Sequence, residues 1–384
     1  MADFHFRVKP KVWIGPDTLL KLPLLAGEYS PEGRVLLIVD PLLYETKTID
    51  RVRSLLEDRG LQILVFDEIP ERATSRNAED ALRIARGSKS PLVIGLGGIK
   101  TLMLARAAAS IAPCRQDLDA VLDGAQAGPS YLPLIEIPTS FRHGFLTEEC
   151  FFLPDARDGR VRLVRSVGAA PSAVLVDPNL SAGHSPKVAA SCLIDGLMGA
   201  IESYVSSKSS FLSDLVLEKA VSSLASSLNQ LIARPDDPTA RTEAWKGSFL
   251  ASLGQGMSAP GIGTAVALAA NAKWGVPKAS LAAILLPYSI EFAAKSRLEK
   301  VAALCPLLGE DSSGYTPSEA AAKTTEWLRT KLGVLRIPSR LKDFDLSLDR
   351  LVETARDARE LDFVNHLPRA VSVDDVFDFM KTAY

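Results

Sequence analysis

The sequence predicts two domains: an α/β domain with a Rossmann-like parallel sheet over residues 1–182, and an all-helical domain over residues 183–384. Three observations lead there. Short apolar runs alternate with helical patterns through the first part of the chain. From about Ser185 onward the strong patterns have helical spacing. A chain of 384 residues, 47% hydrophobic, is also long enough to bury two cores rather than one.

The elements come in order. "RVLLIVD" (34–40) is a continuous apolar run of strand length, and "TIDRVRSLLEDRG" behind it has helical spacing. "LQILVFD" (61–67) is a second strand, followed by the helical "NAEDALRIARG". "PLVIGLGG" (91–98) leads through a glycine turn into "TLMLARAAASI", and "YLPLIEIPTS" (131–140) is a further strand. Strand–helix alternation at this spacing implies a parallel sheet covered by helices on both faces. In the second half, "SPKVAASCLIDGLMGAIESYVSS" and "SDLVLEKAVSSLASSLNQLIA" start on Ser-Pro and Ser-Asp, which are helix-opening signals. Ser185 is the expected N-cap and Pro186 the first helical residue.

Composition excludes several classes. With 44 basic and 46 acidic residues, no whole-chain field draws the protein to nucleic acid or a membrane surface. The start, "MADFHFRVKPKVW", lacks the apolar core of a signal peptide, and runs such as "ASLAAILLPY" fall short of a membrane span. Cys114, Cys150, Cys192 and Cys305 show no CxxC spacing, which argues against a disulfide framework or a thiolate metal site. The expectation is a soluble, cytoplasmic protein that acts on a small molecule.

Several segments, in order, resemble the iron-containing (group III) alcohol dehydrogenase family. They are "FRVKPKVWIGPDTLLKLP", "VIGLGG" with "ARAAA" behind it, "IEIPTS", "LVDPNL", "LIDGLMGAIESYVS", "GVPKASLAAILLPYSIEF" and "NHLPRAVSVDDVFDFMKTAY". The resemblance covers nearly the whole chain. It implies the two-domain, dehydroquinate synthase-like architecture and a homodimer formed through the N-terminal region.

The resemblance breaks at the chemistry. Family members hold iron or zinc with an Asp and a His four apart on one helix, plus two later His; residues i and i+4 share a helical face and can aim at one ion. Here the Asp matches Asp195, but its partner is Gly199, and the later positions fall on Thr264 and Lys278. A further family histidine near the substrate falls on Leu268. The chain has four histidines, His5, His143, His184 and His366, none at ligand spacing from another His or Cys. A catalytic divalent ion needs about three protein ligands. No metal is expected.

The nucleotide loop is altered too. The family's GGGSxxDxAK corresponds to "GGIKTLMLAR": Gly97 and Gly98 remain, while Ile99, Lys100 and Met103 replace the third Gly, the Ser and the Asp. A β-branched residue resists positive φ and takes up phosphate space. Lys100 offers a compensating charge. The nicotinamide-side loop PTTAGTGSE corresponds to "PTSFRHGFL", where Thr139 remains and Phe141, Arg142, His143 and Phe145 replace small residues. Asp40, ending "LLIVD", stands where the family holds a ribose; alternatively it caps the next turn. Cofactor binding, if any, falls to Asp40, Gly97, Gly98, Lys100 and Thr139, and no cofactor is expected.

If the fold is kept, the resemblance brings Asp195, Thr264 and Lys278 together in the interdomain cleft, with Arg142 and His143 approaching from the loop. The candidate catalytic set is Lys278, Arg142, His143 and Asp195; Phe141, Thr264, Leu268 and Trp274 are candidate substrate contacts, with Asn271 near them. An ammonium at a former metal position can pair with the carboxylate, polarise a carbonyl or bind an anion. Glu148 and Glu149 read as solvated charges, and His366 as structural. The leading expectation is a metal-independent enzyme of lyase, isomerase or cyclase type. The alternatives are an NAD(P)-dependent oxidoreductase and a non-catalytic partner subunit.

Overall fold

In a computed structural model, residues 10–31, 33–141 and 144–384 are described. They form two compact units, one ending at Gly183 and the other beginning at His184.

The first unit runs β1 (Lys11–Ile14), α1 (Leu22–Tyr29), β2 (Arg34–Val39), α2 (Thr48–Glu57), β3 (Gln62–Phe66), α3 (Ser75–Ser88), β4 (Val93–Gly97), α4 (Ile99–Ile111) and α5 (Leu118–Leu122). It continues with β5 (Leu134–Pro138), β6 (Cys150–Pro154), β7 (Val161–Arg165) and β8 (Ala173–Val176). Six strands make one sheet in the order β1-β8-β5-β4-β2-β3, every pairing parallel. Successive side chains on a strand point to opposite faces. Thus Val35, Leu37 and Val39 of β2, with Ile94 and Leu96 of β4, pack in one core with Leu22 and Leu25 of α1 and Val52 and Leu56 of α2. The opposite face of β4 receives α4 at Gly95. A Cβ there would lie 2.8 Å from that of Ala105, so only glycine lets the helix come this close.

The strands expected from the apolar runs are β2 to β5. The reading by runs passes over β1 and β8, which are four residues each, and the antiparallel β6–β7 hairpin. In "VRLVR" charges interrupt the apolar residues, so no continuous run marks β7.

The second unit is helical: α6 (Pro186–Val205), α7 (Phe211–Ala233), α8 (Pro238–Met257), α9 (Ile262–Trp274), α10 (Lys278–Leu307), α11 (Pro317–Val334), α12 (Leu348–Arg359) and α13 (Val373–Thr382). Ser185 caps α6 as expected, its hydroxyl accepting from the Val188 amide, with Pro186 in the first turn. Capping boxes open α11 (Thr316, Glu319) and α13 (Ser372, Asp375). By length and hydropathy α6 could cross a membrane, but 83% of its apolar window is buried within the protein. It packs against α7, α8 and α10. Two of its charges, Asp195 and Glu202, lie inside that core.

Candidate functional site

Lys278 is the first residue of α10, directly after the capping Pro277. Its ammonium donates to Asp195 Oδ1 on α6, with side-chain exposures of 11% for the lysine and 2% for the aspartate. So deep a carboxylate needs compensation for the water it has lost, and the ammonium supplies both charge and a hydrogen bond. Asp195 Oδ2 is buried and has no hydrogen-bond partner.

One turn along α6, Gly199 leaves the neighbouring position without a side chain. The place is taken from α8: Gln255 Oε1 lies 3.0 Å from where a Cβ on Gly199 would be. Further along, buried Glu202 reaches the start of α9. Its Oε1 accepts from the Gly263 amide (2.7 Å) and the Ser289 hydroxyl (2.9 Å). Its Oε2 accepts from the Gly261 amide (3.0 Å), the Thr264 amide (3.1 Å) and the Thr264 hydroxyl (2.6 Å). A carboxylate at a helix N-terminus is well placed for the orphan amides and the positive end of the dipole. Burial pushes the Glu202 carboxyl up; the Thr264 and Ser289 hydroxyls and the loop amides pull it down, and burial prevails.

The Thr264 hydroxyl, expected beside Asp195 and Lys278, donates its proton to Glu202. Leu268 is a core residue of α9 at 2% exposure. Trp274 donates Nε1–H to the Thr354 hydroxyl (2.9 Å) and lies beside the Lys273 and Arg350 cations, which holds α9 to α12. Asn271 closes the end of α9 by donating to the Val276 carbonyl (2.8 Å). These groups have structural work of their own.

The donor set does not fit a divalent metal. The four matching positions supply one carboxylate, a glycine, a hydroxyl already bonded to Glu202, and an ammonium with its own positive charge. Three neutral or anionic donors are wanted. Among the described residues no group of three or more His, Cys, Asp or Glu could hold an ion.

In the α/β unit, Gly97 ends β4 at φ +152°, a conformation that favours glycine, and a Cβ there would lie 2.8 Å from that of Asp40. Gly98 caps α4, with open space where its side chain would be. Ile99 begins the helix and has no positive φ, so the expected backbone conflict does not arise. Lys100 does not offer a free charge: its ammonium donates to the Pro70 carbonyl (2.9 Å). Met103 is buried in the core. The Thr101 hydroxyl, in the first turn of α4, is buried without a partner. Asp40 caps the turn after β2 by accepting from the Leu42 amide (3.2 Å). The Thr139 amide donates to the Gly97 carbonyl (3.0 Å), extending the β4–β5 ladder. Open helix amides at a glycine turn fit a phosphate group, although the side chains around them are not the family's.

Phe141 and Phe145 are fully buried, and Phe145 packs edge-on against Phe152 of β6. Arg142 and His143 lie outside the described residues. The segment from Phe145 to Cys150 is held by a group that motif reading missed. Arg106 is wholly buried and forks onto Glu136 of β5 (2.7 and 3.0 Å). It also donates to the carbonyls of Phe145, Leu146, Glu148 and Cys150 at 2.9–3.1 Å. Burial opposes the guanidinium charge, but Glu136 more than offsets it, and the net direction is up. Glu148 is accordingly no solvated charge: its carboxylate, 10% exposed, faces Arg165 at 3.4 Å. Glu149 is half-buried. His366 has a structural role, its carbonyl accepting from Ser206 and Ser207. The signal for Arg106 was a lone charge in "LMLARAAAS", which a reading for helix periodicity absorbs without comment.

Known proteins extend the comparison. The family model described as Iron-containing alcohol dehydrogenase matches residues 9–178, and that of the Fe-containing alcohol dehydrogenase family, C-terminal, matches residues 189–384. The long-chain-alcohol dehydrogenase 1 of Geobacillus thermodenitrificans is 28% identical over 84% of this chain and 82% of its own. The sulfoacetaldehyde reductase of Bilophila wadsworthia is 23% identical over 92% of each. Among solved structures, a 1,3-propanediol oxidoreductase superposes with TM-score 0.92 at 21% identity, covering 100% of both chains. A sulfoacetaldehyde reductase from Bifidobacterium kashiwanohense, in complex with NAD+, gives 0.86 at 18% identity, covering 100% of this chain and 99% of that one.

Proposed function

Because the chain belongs to the iron-containing alcohol dehydrogenase family, we propose that it is a nucleotide-linked alcohol or aldehyde oxidoreductase whose resident cation is the ammonium of Lys278. One observation carries this reading: the buried Lys278–Asp195 pair stands at two positions that the resemblance matches to metal ligands. The named relatives, alcohol dehydrogenases and aldehyde reductases, support the reaction class.

These residues set the chemistry. A fixed ammonium in a water-poor site polarises a carbonyl oxygen and steadies the negative charge that grows on it during reduction. In the reverse direction Lys278 holds the alcohol oxygen, while Asp195 Oδ2, the acceptor with no partner, takes the hydroxyl proton. The Gly97–Gly98 turn and the first amides of α4 would hold a phosphate of the nucleotide. Such a cofactor, when bound, would supply hydride-transfer chemistry.

A second reading has its own observation. Lys100 is committed to Pro70, and Met103 is in the core, so the phosphate site lacks the family's side chains. That favours a metal-free lyase, isomerase or cyclase that uses Lys278 to orient a small substrate without a nucleotide. A homodimer in the cytoplasm belongs to either proposal. For a non-catalytic partner subunit, variants at Lys278 would leave the cellular role unchanged.

Titration with NADH and NADPH, followed by nicotinamide fluorescence, separates the readings. Expected are cofactor binding, carbonyl reduction insensitive to chelators, and a loss of turnover of about a hundredfold or more in Lys278→Met with cofactor affinity kept. No binding at millimolar cofactor selects the second reading. Turnover that requires added iron or zinc refutes both.

A further inference from the structure

Resting on the reading that Lys278 stands in for an ion, we infer that Gln255 of α8 fills the place of the missing ligand beside Asp195. The centre thereby excludes a metal by occupancy at the Gly199 position as well as by charge. Three observations meet here. Asp195 and Gly199 are four apart on α6, so their side-chain positions stand on one face about 5–6 Å apart. Gly199 has no side chain, and Gln255 Oε1 lies 3.0 Å from the point where one would begin. Asp195 and Gln255 are both buried, at 5% and 3%, so neither position is filled by bulk water.

The consequence is reciprocal. A side chain added at position 199 presses on the Gln255 amide, which must shift to admit it, and an amide shifted within a buried helix interface weakens its hydrogen bonds. A glycine at 199 and a glutamine at 255 are therefore one paired adaptation, and Lys278 completes it by supplying the charge.

Two measurements test this without any assay of turnover. The first is a thermal-unfolding cycle on Gly199→Ala, Gln255→Ala and the double variant. Gly199→Ala should lower the midpoint by about 2–4 °C in the presence of Gln255. With Gln255→Ala added, Gly199→Ala should cost nothing further, or raise the midpoint as the methyl fills vacated space. Additive effects would overturn the pairing. The second is a titration with Co2+, read by visible absorption. Gly199→His/Lys278→His creates two imidazoles and a carboxylate, and adding Gln255→Ala should raise its Co2+ affinity at least about tenfold. Equal affinities in the two backgrounds would overturn the inference. So would Co2+ uptake by the unaltered protein that Asp195→Asn abolishes. Failure of the nucleotide titration leaves both results intact, so the two readings fall separately.

Discussion

Glu202→Gln changes one atom of a side chain whose two oxygens meet five donors, and the cost can be worked from the geometry. The amide nitrogen must take one side. Placed at the ε2 position it faces the amides of Gly261 and Thr264. Placed at ε1 it faces the Gly263 amide, while the Ser289 hydroxyl is free to turn and accept. The second arrangement is the less costly, and it still strands one backbone donor at about 1–3 kcal/mol. The remaining three bonds change from charge-assisted to neutral, losing on the order of 1 kcal/mol each. Against this, a neutral amide escapes the burial that pushes the Glu202 carboxyl up. The net expectation is a loss of about 2–4 kcal/mol, or about 4–16 °C in midpoint for a folding unit near 200 residues. Urea and thermal unfolding by circular dichroism at pH 7 would read it, with Glu202→Ala losing more through the cavity. A Glu202→Gln protein of unchanged stability would refute the reasoning, because it would mean that the native side chain is already neutral.

Three further outcomes are expected. Lys278→Met should cost about 3–5 kcal/mol by leaving Asp195 buried without its cation, and adding Asp195→Asn should recover most of that loss in urea unfolding. Arg106→Lys should cost a similar amount, about 3–5 kcal/mol, because three ammonium protons cannot replace a fork shared by Glu136 and four carbonyls; proteolysis between residues 145 and 150 should accelerate with it. Hydrogen bonds from Arg157, working against burial, hold the Asp155 carboxyl down to about 2. Its folded value lies below the unfolded one, so its contribution, about 2 kcal/mol, is present above about pH 4 and is lost as the pH falls toward 2. The stability gap between the unaltered protein and Asp155→Asn should accordingly close over that interval.

How far the sequence could be read depends on the kind of signal. The strands β2 to β5 were legible because each is a largely apolar run of five or six residues flanked by turns. Those of four residues were not, since a short run such as "AVLV" has no pattern of its own apart from its neighbours in the sheet. At the site, Lys278 and Asp195 were legible as a pair through the family's spacing, and their ion pair needs only two helices to meet. Thr264 went the other way. Its competitor for the hydroxyl, Glu202, sits in "AIESYV", where an acidic residue in a helix ordinarily reads as a solvated face. Ile99 shows the same limit in the backbone: residue type warned of strain, while the turn places its positive φ at Gly97 and starts the helix one residue before any conflict.

The family resemblance supplied the loss of three of four ligand positions, while local chemistry and periodicity determined the two-part architecture and the helix cap at Ser185. Each of these depends on residues close together in the chain or on a residue's own type. Only the tertiary structure decided which buried polar groups satisfy one another: Gln255 against Gly199, Glu202 against the start of α9, Arg106 against four carbonyls and a carboxylate. The physical reason is that burial removes water as the default partner, so each group bonds to whatever packing brings near, and that neighbour lies dozens of residues away along the chain.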